Sequence, residues 1–187
     1  MKPHFVLALI AVAVTLPRVV AQAFSTVALL LLTASGVSKT VDPDPTRGAL
    51  RDAHLPSSVI AVRSLGVIEV VAGLTGLTLG GAWLAAGLVL YIGFFGFTLA
   101  AKRGRFALQS CGCFGRDDTP PTWLHVVYNG LAAMSLGYLA AVNRSPVPGT
   151  DDLSTTVVVL GFGLIGAYLS YLLLSQLPIT LSLAAHR

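Results

Sequence analysis

The chain has 187 residues, 55% hydrophobic and only 11% charged, with a formal net charge of +4, whereas an ordinary soluble domain carries roughly a quarter charged residues. A mean hydropathy of +0.79 is more apolar surface than a water-soluble core of this size absorbs, so the long apolar runs must face lipid or one another. The basic excess sits at the ends of those runs, where it sets topology and meets anionic headgroups; with no basic face of aromatic or polar readers, nucleic-acid binding is excluded.

Residues 5–16 form an apolar run after Lys2, and Ala21-Gln22-Ala23 imitates a secretory cleavage site. Cutting there would leave a first span of about 15 residues where roughly 20 are needed. The run is therefore expected to be a short extra helix or a Pro17-kinked extension. The first span proper covers about 19–37 and ends at Ser38-Lys39, with Pro43 and Pro45 barring its continuation. Polar residues follow, and 46–54 is expected to form a short helix lying at the interface. The second span, about 57–79, carries Arg63 and Glu69 and is divided from the third by Gly80-Gly81, which implies a tight turn. The third continues to about Ala101, closed by Lys102-Arg103-Gly104-Arg105. A loop over 106–121 holds both cysteines, a fourth span covers 122–142, and after a turn-rich stretch a fifth covers about 153–177, with Pro178 beyond it.

The expected fold is thus an all-α integral membrane protein: an N-terminal apolar extension (1–18), a four-helix transmembrane core (19–143), and a linker with a C-terminal transmembrane helix (144–187). The bilayer is the first partner this implies.

The candidate chemistry centres on Cys111-Gly112-Cys113-Phe114-Gly115. Two cysteines are too few for a disulfide framework. Glycine between them lets the backbone fold until the sulfurs reach bonding distance, and a disulfide across so small a loop is expected to be strained, oxidising and exchangeable. Lys102, Arg103, Arg105 and Arg116 bracket the pair, and the helix beginning near Thr122 offers an N-terminus; both favour thiolate. Two other readings stand beside exchange: a buried or structural clip, and a soft metal ion held by two thiolates and His125, with His54 as a fourth ligand if the loops meet. The reading adopted assigns no metal.

Glu69 lies about twelve residues, roughly 18 Å, into the second span. A carboxyl at that depth must be neutral, paired or hydrogen-bonded, and is a functional candidate by position. One role is proton transfer coupled to thiol oxidation. The structural alternative is an interhelical hydrogen bond or a pair with Arg63, with Gly73 and Gly76 favouring close packing. His125 and Asn129, four residues apart, share a face expected to lie beneath the cysteine loop. His125 is a candidate proton carrier, against the plainer reading of a polar interface residue. Trp83, Trp123, Tyr91 and Tyr128 fit aromatic belts.

Ser35-Gly36-Val37-Ser38-Lys39 leading into Asp42-Pro43, then Gly66-Val67-Ile68-Glu69, Cys111 to Gly115, and Thr122 to Asn129 together resemble the MauE family, methylamine-utilisation membrane proteins related to DoxX-like bundles. The resemblance covers roughly residues 20–143, and its specific part is the Cys-Gly-Cys-Phe-Gly element. It implies a factor for processing, export or maturation of the methylamine dehydrogenase small subunit, a disulfide-rich periplasmic protein, with a thioredoxin-like partner. Similarity to the vitamin K epoxide reductase type of bundle is a fold-level analogy, and it implies a membrane quinone as electron acceptor. On this reading Cys111 and Cys113 exchange electrons while Glu69 or His125 handles protons. The rival class is a non-catalytic assembly or export factor. The positive-inside rule assigns both basic loops, and so the cysteines, to the cytoplasm; oxidative maturation requires the outer face of a bacterial inner membrane, and that placement is the one adopted.

Overall fold

A computed structural model describes residues 3–106, 108, 120–147 and 153–175, with side chains from residue 18 onward apart from 153 and 155. The described residues form six α-helices: α1 (Pro3–Val41), α2 (Asp44–Asp52), α3 (Val59–Leu79), α4 (Leu84–Lys102), α5 (Trp123–Ala141) and α6 (Leu153–Ser175), with a 3₁₀ turn at Gly81–Trp83. Five segments are long and apolar enough to cross a membrane: Arg18–Val41, Val59–Leu79, Gly81–Lys102, Trp123–Ala141 and Thr156–Ser175. The expected all-α bundle is what forms.

The N-terminal run is an extension, not a separate helix, since α1 continues unbroken for 39 residues. At the helical rise that is about 58 Å, well beyond the roughly 30 Å of a hydrocarbon core. α1 also runs past the expected stop at Ser38, carrying Lys39 as its last-turn cation, and the chain turns only at Asp42 and Pro43.

Glycines set the packing. A Cβ on Gly36 would stand 2.5 Å from the Gly66 carbonyl oxygen, and one on Gly66 would stand 2.7 Å from that of Gly36. One on Gly73 would meet Thr33 and Leu29, and one on Gly76 would meet Leu29. Residue numbers fall along α1 as they rise along α3, so the two helices are antiparallel in close backbone contact, as small-residue interfaces permit. α4 and α5 pair the same way, with Phe95 against Gly130 and Leu88 against Gly137. Helix α1 is the hub, touching α3, α5 and α6. Its buried Ala28, Leu29 and Leu32 share the core with Leu84, Ala132, Leu136 and Leu139.

The Gly80-Gly81 turn forms as expected. Both glycines have positive φ, 59° and 54°, and a Cβ at Gly80 would stand 2.7 Å from Ser145 Cα. Here, at the lower end of the bundle, Gln22 donates to the Ser145 carbonyl at 3.0 Å and Thr26 to that of Pro146 at 3.3 Å, tying the α5–α6 connection to α1. The upper end carries α2, the close of α4 and the start of α5. It therefore also carries both anchors, Phe106 and Pro120, of the segment that holds the cysteines. Cys111 and Cys113 themselves lie outside the described residues.

Candidate functional site

In a helix each Cα–Cβ bond leans toward the N-terminus. Lys39 sits near the upper, C-terminal end of α1, so its side chain leans down into the bundle. Glu69 is on α3, whose N-terminus is the upper one, so it leans up. The two meet: Lys39 Nζ lies 2.9 Å from Glu69 Oε2, with both side chains almost wholly buried. Nζ also donates to the Ser35 hydroxyl one turn below, and it stands 5.8 Å from the centroid of the Phe94 ring, within cation–π range. The second carboxylate oxygen, Oε1, is buried without a hydrogen-bond partner among the described residues.

The expected alternative partner, Arg63, is excluded by helix geometry. Six residues turn a helix through about 600°, which leaves Arg63 roughly 120° away from Glu69. Arg63 is exposed, while Val62, Gly66, Glu69 and Gly73 share the buried face against α1. Lys39 is the partner of Glu69 that the sequence does not single out, since it reads there as the polar end of the first span.

His125 occupies the first turn of α5 and is buried. The Thr122 backbone N–H donates to its Nδ1 at 3.1 Å, so the ring at N3 completes a capping box with the N-cap residue Thr122. A neutral ring whose Nδ1 accepts carries its proton on Nε2. Asn129 follows one turn along the same face, as expected.

Tyr91 and Tyr128 depart from the belt expectation. Tyr91 is buried and its hydroxyl donates to the Ala28 carbonyl of α1 at 2.6 Å. Its ring meets Phe94 edge-on at 6.1 Å and Tyr128 at 6.5 Å, and Tyr128 packs on Phe24 at 5.3 Å. Trp83 and Trp123, by contrast, are exposed at helix ends, as belt residues are. Tyr91→Phe is expected to destabilise the bundle by about 1 kcal/mol, the worth of one buried hydrogen bond, read from SDS-driven loss of helicity.

These groups border one cavity of about 190 Å³ beneath the upper end. Ser35 and Lys39 of α1 form one side, Tyr91, Phe94 and Phe97 of α4 another, and His125, Tyr128 and Asn129 of α5 a third. Thr46, Ala49 and Leu50 of α2 roof it. The expected interfacial helix is thus also a lid. Arg47 holds it there, its Nε donating to the Ser57 carbonyl at 3.0 Å and its Nη1 pairing with Asp44 at 2.6 Å. Glu69 is not itself part of the lining and meets it through Lys39 and Ser35. Among the described residues no group of three or more His, Cys, Asp or Glu side chains is placed to hold a metal ion.

The family profile described as methylamine utilisation protein MauE matches residues 5–143. The chain belongs to the MauE family. It is accordingly a multi-pass membrane protein of methylamine utilisation. The match ends where the expected four-helix core ends, but it begins well before residue 20 and so takes in most of the N-terminal run, which the resemblance had left outside. Neither a curated protein nor a solved structure matches the chain. In this MauE family member the Glu-bearing motif at 66–69 supplies both the close-packed glycine and the buried carboxylate.

Proposed function

We propose that this MauE family member is a thiol–disulfide component of the bacterial inner membrane, serving the processing, export or disulfide maturation of a periplasmic partner. By family the partner is the methylamine dehydrogenase small subunit, with a thioredoxin-like protein as intermediary. The observation that carries the reading is the buried Lys39–Glu69 pair and His125 around one cavity at the bundle end where the Cys111–Cys113 segment is anchored.

In the proposed cycle a partner thiolate attacks the Cys111–Cys113 disulfide and forms a mixed disulfide. The partner's second thiol then displaces it, leaving a disulfide in the partner and a dithiol here. Restoring the disulfide removes two electrons and two protons from the pair. Lys39 and His125, which line the cavity, and Glu69, which is paired with Lys39, are the groups proposed to carry those protons.

Cys111→Ser and Cys113→Ser are each expected to abolish disulfide formation in the partner while leaving membrane insertion intact. The check is the partner's redox state by thiol trapping in intact cells, with a membrane-impermeant alkylating reagent reporting the side. The positive-inside rule favours a cytoplasmic upper end, whereas this reading needs it outside. Normal partner maturation in the double serine variant, or a reduced pair reachable only after the membrane is opened, would leave a non-catalytic assembly or export factor.

A further inference from the structure

We infer that the 190 Å³ cavity is the binding site for the head group of a lipid-soluble quinone. An apolar cavity of roughly 150 Å³ already holds benzene, so this volume takes a single substituted ring. The ligand must be largely apolar, because the walls are, and it must arrive through the bilayer, because the cavity lies among membrane-spanning helices. What selects a quinone is the pattern of polar groups. α5 presents His125 and Asn129 one turn apart, and with Nδ1 of His125 already accepting from Thr122, its other nitrogen is a donor. The Asn129 amide adds two N–H donors on the same face, and Lys39 lies across the cavity. The neighbouring helix α4 adds the rings of Tyr91, Phe94 and Phe97 to the lining, aromatic surface against which a planar ring packs.

Donors beside aromatic surface suit a planar ring carrying carbonyl acceptors. They do not suit an acyl chain, which leaves the donors unsatisfied at a cost. α2 closes the space from above through Ala49 and Leu50, so the head group is shielded from water while its isoprenoid tail remains in lipid.

The binding half of the inference stands alone; its redox half rests on the thiol–disulfide reading. There, Cys111 and Cys113 lose two electrons and two protons and form an S–S bond, and the quinone takes up both to become a quinol, its two carbonyls turning into hydroxyls. Nothing else is consumed.

The test is saturation binding of decylubiquinone to the purified full chain in nanodiscs. Wild type should bind saturably at one site. Asn129→Leu, which removes the amide donors, and Ala49→Phe, which fills the space under the lid, should each weaken binding at least tenfold. The lipid-facing control Val89→Ala should match wild type. In case a variant misfolds, a photoreactive azidoquinone on wild type should label residues of 91–97 and 125–129. Non-saturable uptake, labelling only on lipid-facing surfaces, or unchanged binding in both cavity variants overturns the site. A wild type that binds quinone but does not oxidise its own dithiol upholds the site and rejects the thiol–disulfide cycle. Retained binding in the double serine variant likewise upholds it.

Discussion

Lys39→Met is expected to destabilise the bundle by about 3–5 kcal/mol, the usual result of stripping one partner from a buried ion pair. Glu69 would be left some ten residues deep in α3, roughly 15 Å from its start, with Oε1 already unpartnered among the described residues. Among the described residues no other full positive charge acts on it, since Arg63 points away. Glu69→Leu should cost less. Lys39 is two residues from the end of α1, and a long ammonium side chain so placed can swing its head toward the interface, which the short carboxylate cannot do. The double variant Lys39→Met with Glu69→Leu should recover most of the loss, because a pair removed whole leaves no buried charge. SDS titrations monitored by helicity supply the four corners of the cycle. Single variants within about 1 kcal/mol of wild type, or a double variant no better than Lys39→Met, would show that the pair is not the closed, desolvated contact described.

The same pair shows how far the sequence could be read. Apolar periodicity, proline stops and the glycine pair at 80–81 locate every spanning helix to within a few residues, because those signals are local. The carboxylate at Glu69 announces itself too, since a charge at that depth demands an explanation. Its partner was legible in principle. Rotating Arg63 off the face that holds Gly66 and Gly73 leaves the next basic residue to be found on another helix, and Lys39, three residues after Gly36, holds the matching position on α1. What hid it was the assumption that a lysine beside a loop belongs to the loop.

Tyr91 and the lid were harder to read. A tyrosine in an apolar span is easily assigned to an aromatic belt until the facing helix is known. Tyr91 is instead drawn inward by an otherwise ordinary backbone carbonyl, that of Ala28. Likewise the polar stretch 46–54 is expected to form a helix at the interface, which the structure places at Asp44–Asp52, and it says nothing of what Ala49 and Leu50 cover. Such facts belong to the pairing of helices, which no single segment encodes. That His125 and Asn129 share a face is legible because their relation is a spacing of four on one helix, the kind of distance a sequence does state.

Gly66→Ala tests the frame on which the site depends. In most helices the exchange removes backbone freedom from the unfolded chain and stabilises by about 0.5–1 kcal/mol. At Gly66 the new methyl would stand 2.7 Å from the Gly36 carbonyl oxygen and 3.1 Å from Lys39 Cβ. The first obstacle is backbone, so no rotamer relieves it and α1 and α3 must separate. A cost of about 2–3 kcal/mol is expected, at the upper end for overpacking, and the separation should loosen the Lys39–Glu69 contact one turn away. Gly36→Ala meets the Gly66 carbonyl in the same manner, so the two variants push one pair of backbones apart and their combined cost should fall short of the sum. Gly96→Ala on α4 is the counter-case. Nothing lies within 4 Å of its Cβ position, and the substitution should raise stability by about 0.5–1 kcal/mol. Opposite signs for one chemical change, measured in the same unfolding assay, separate a packing constraint from a helix propensity. A stabilising Gly66→Ala would mean that α1 and α3 do not approach as closely as Gly36 and Gly66 require.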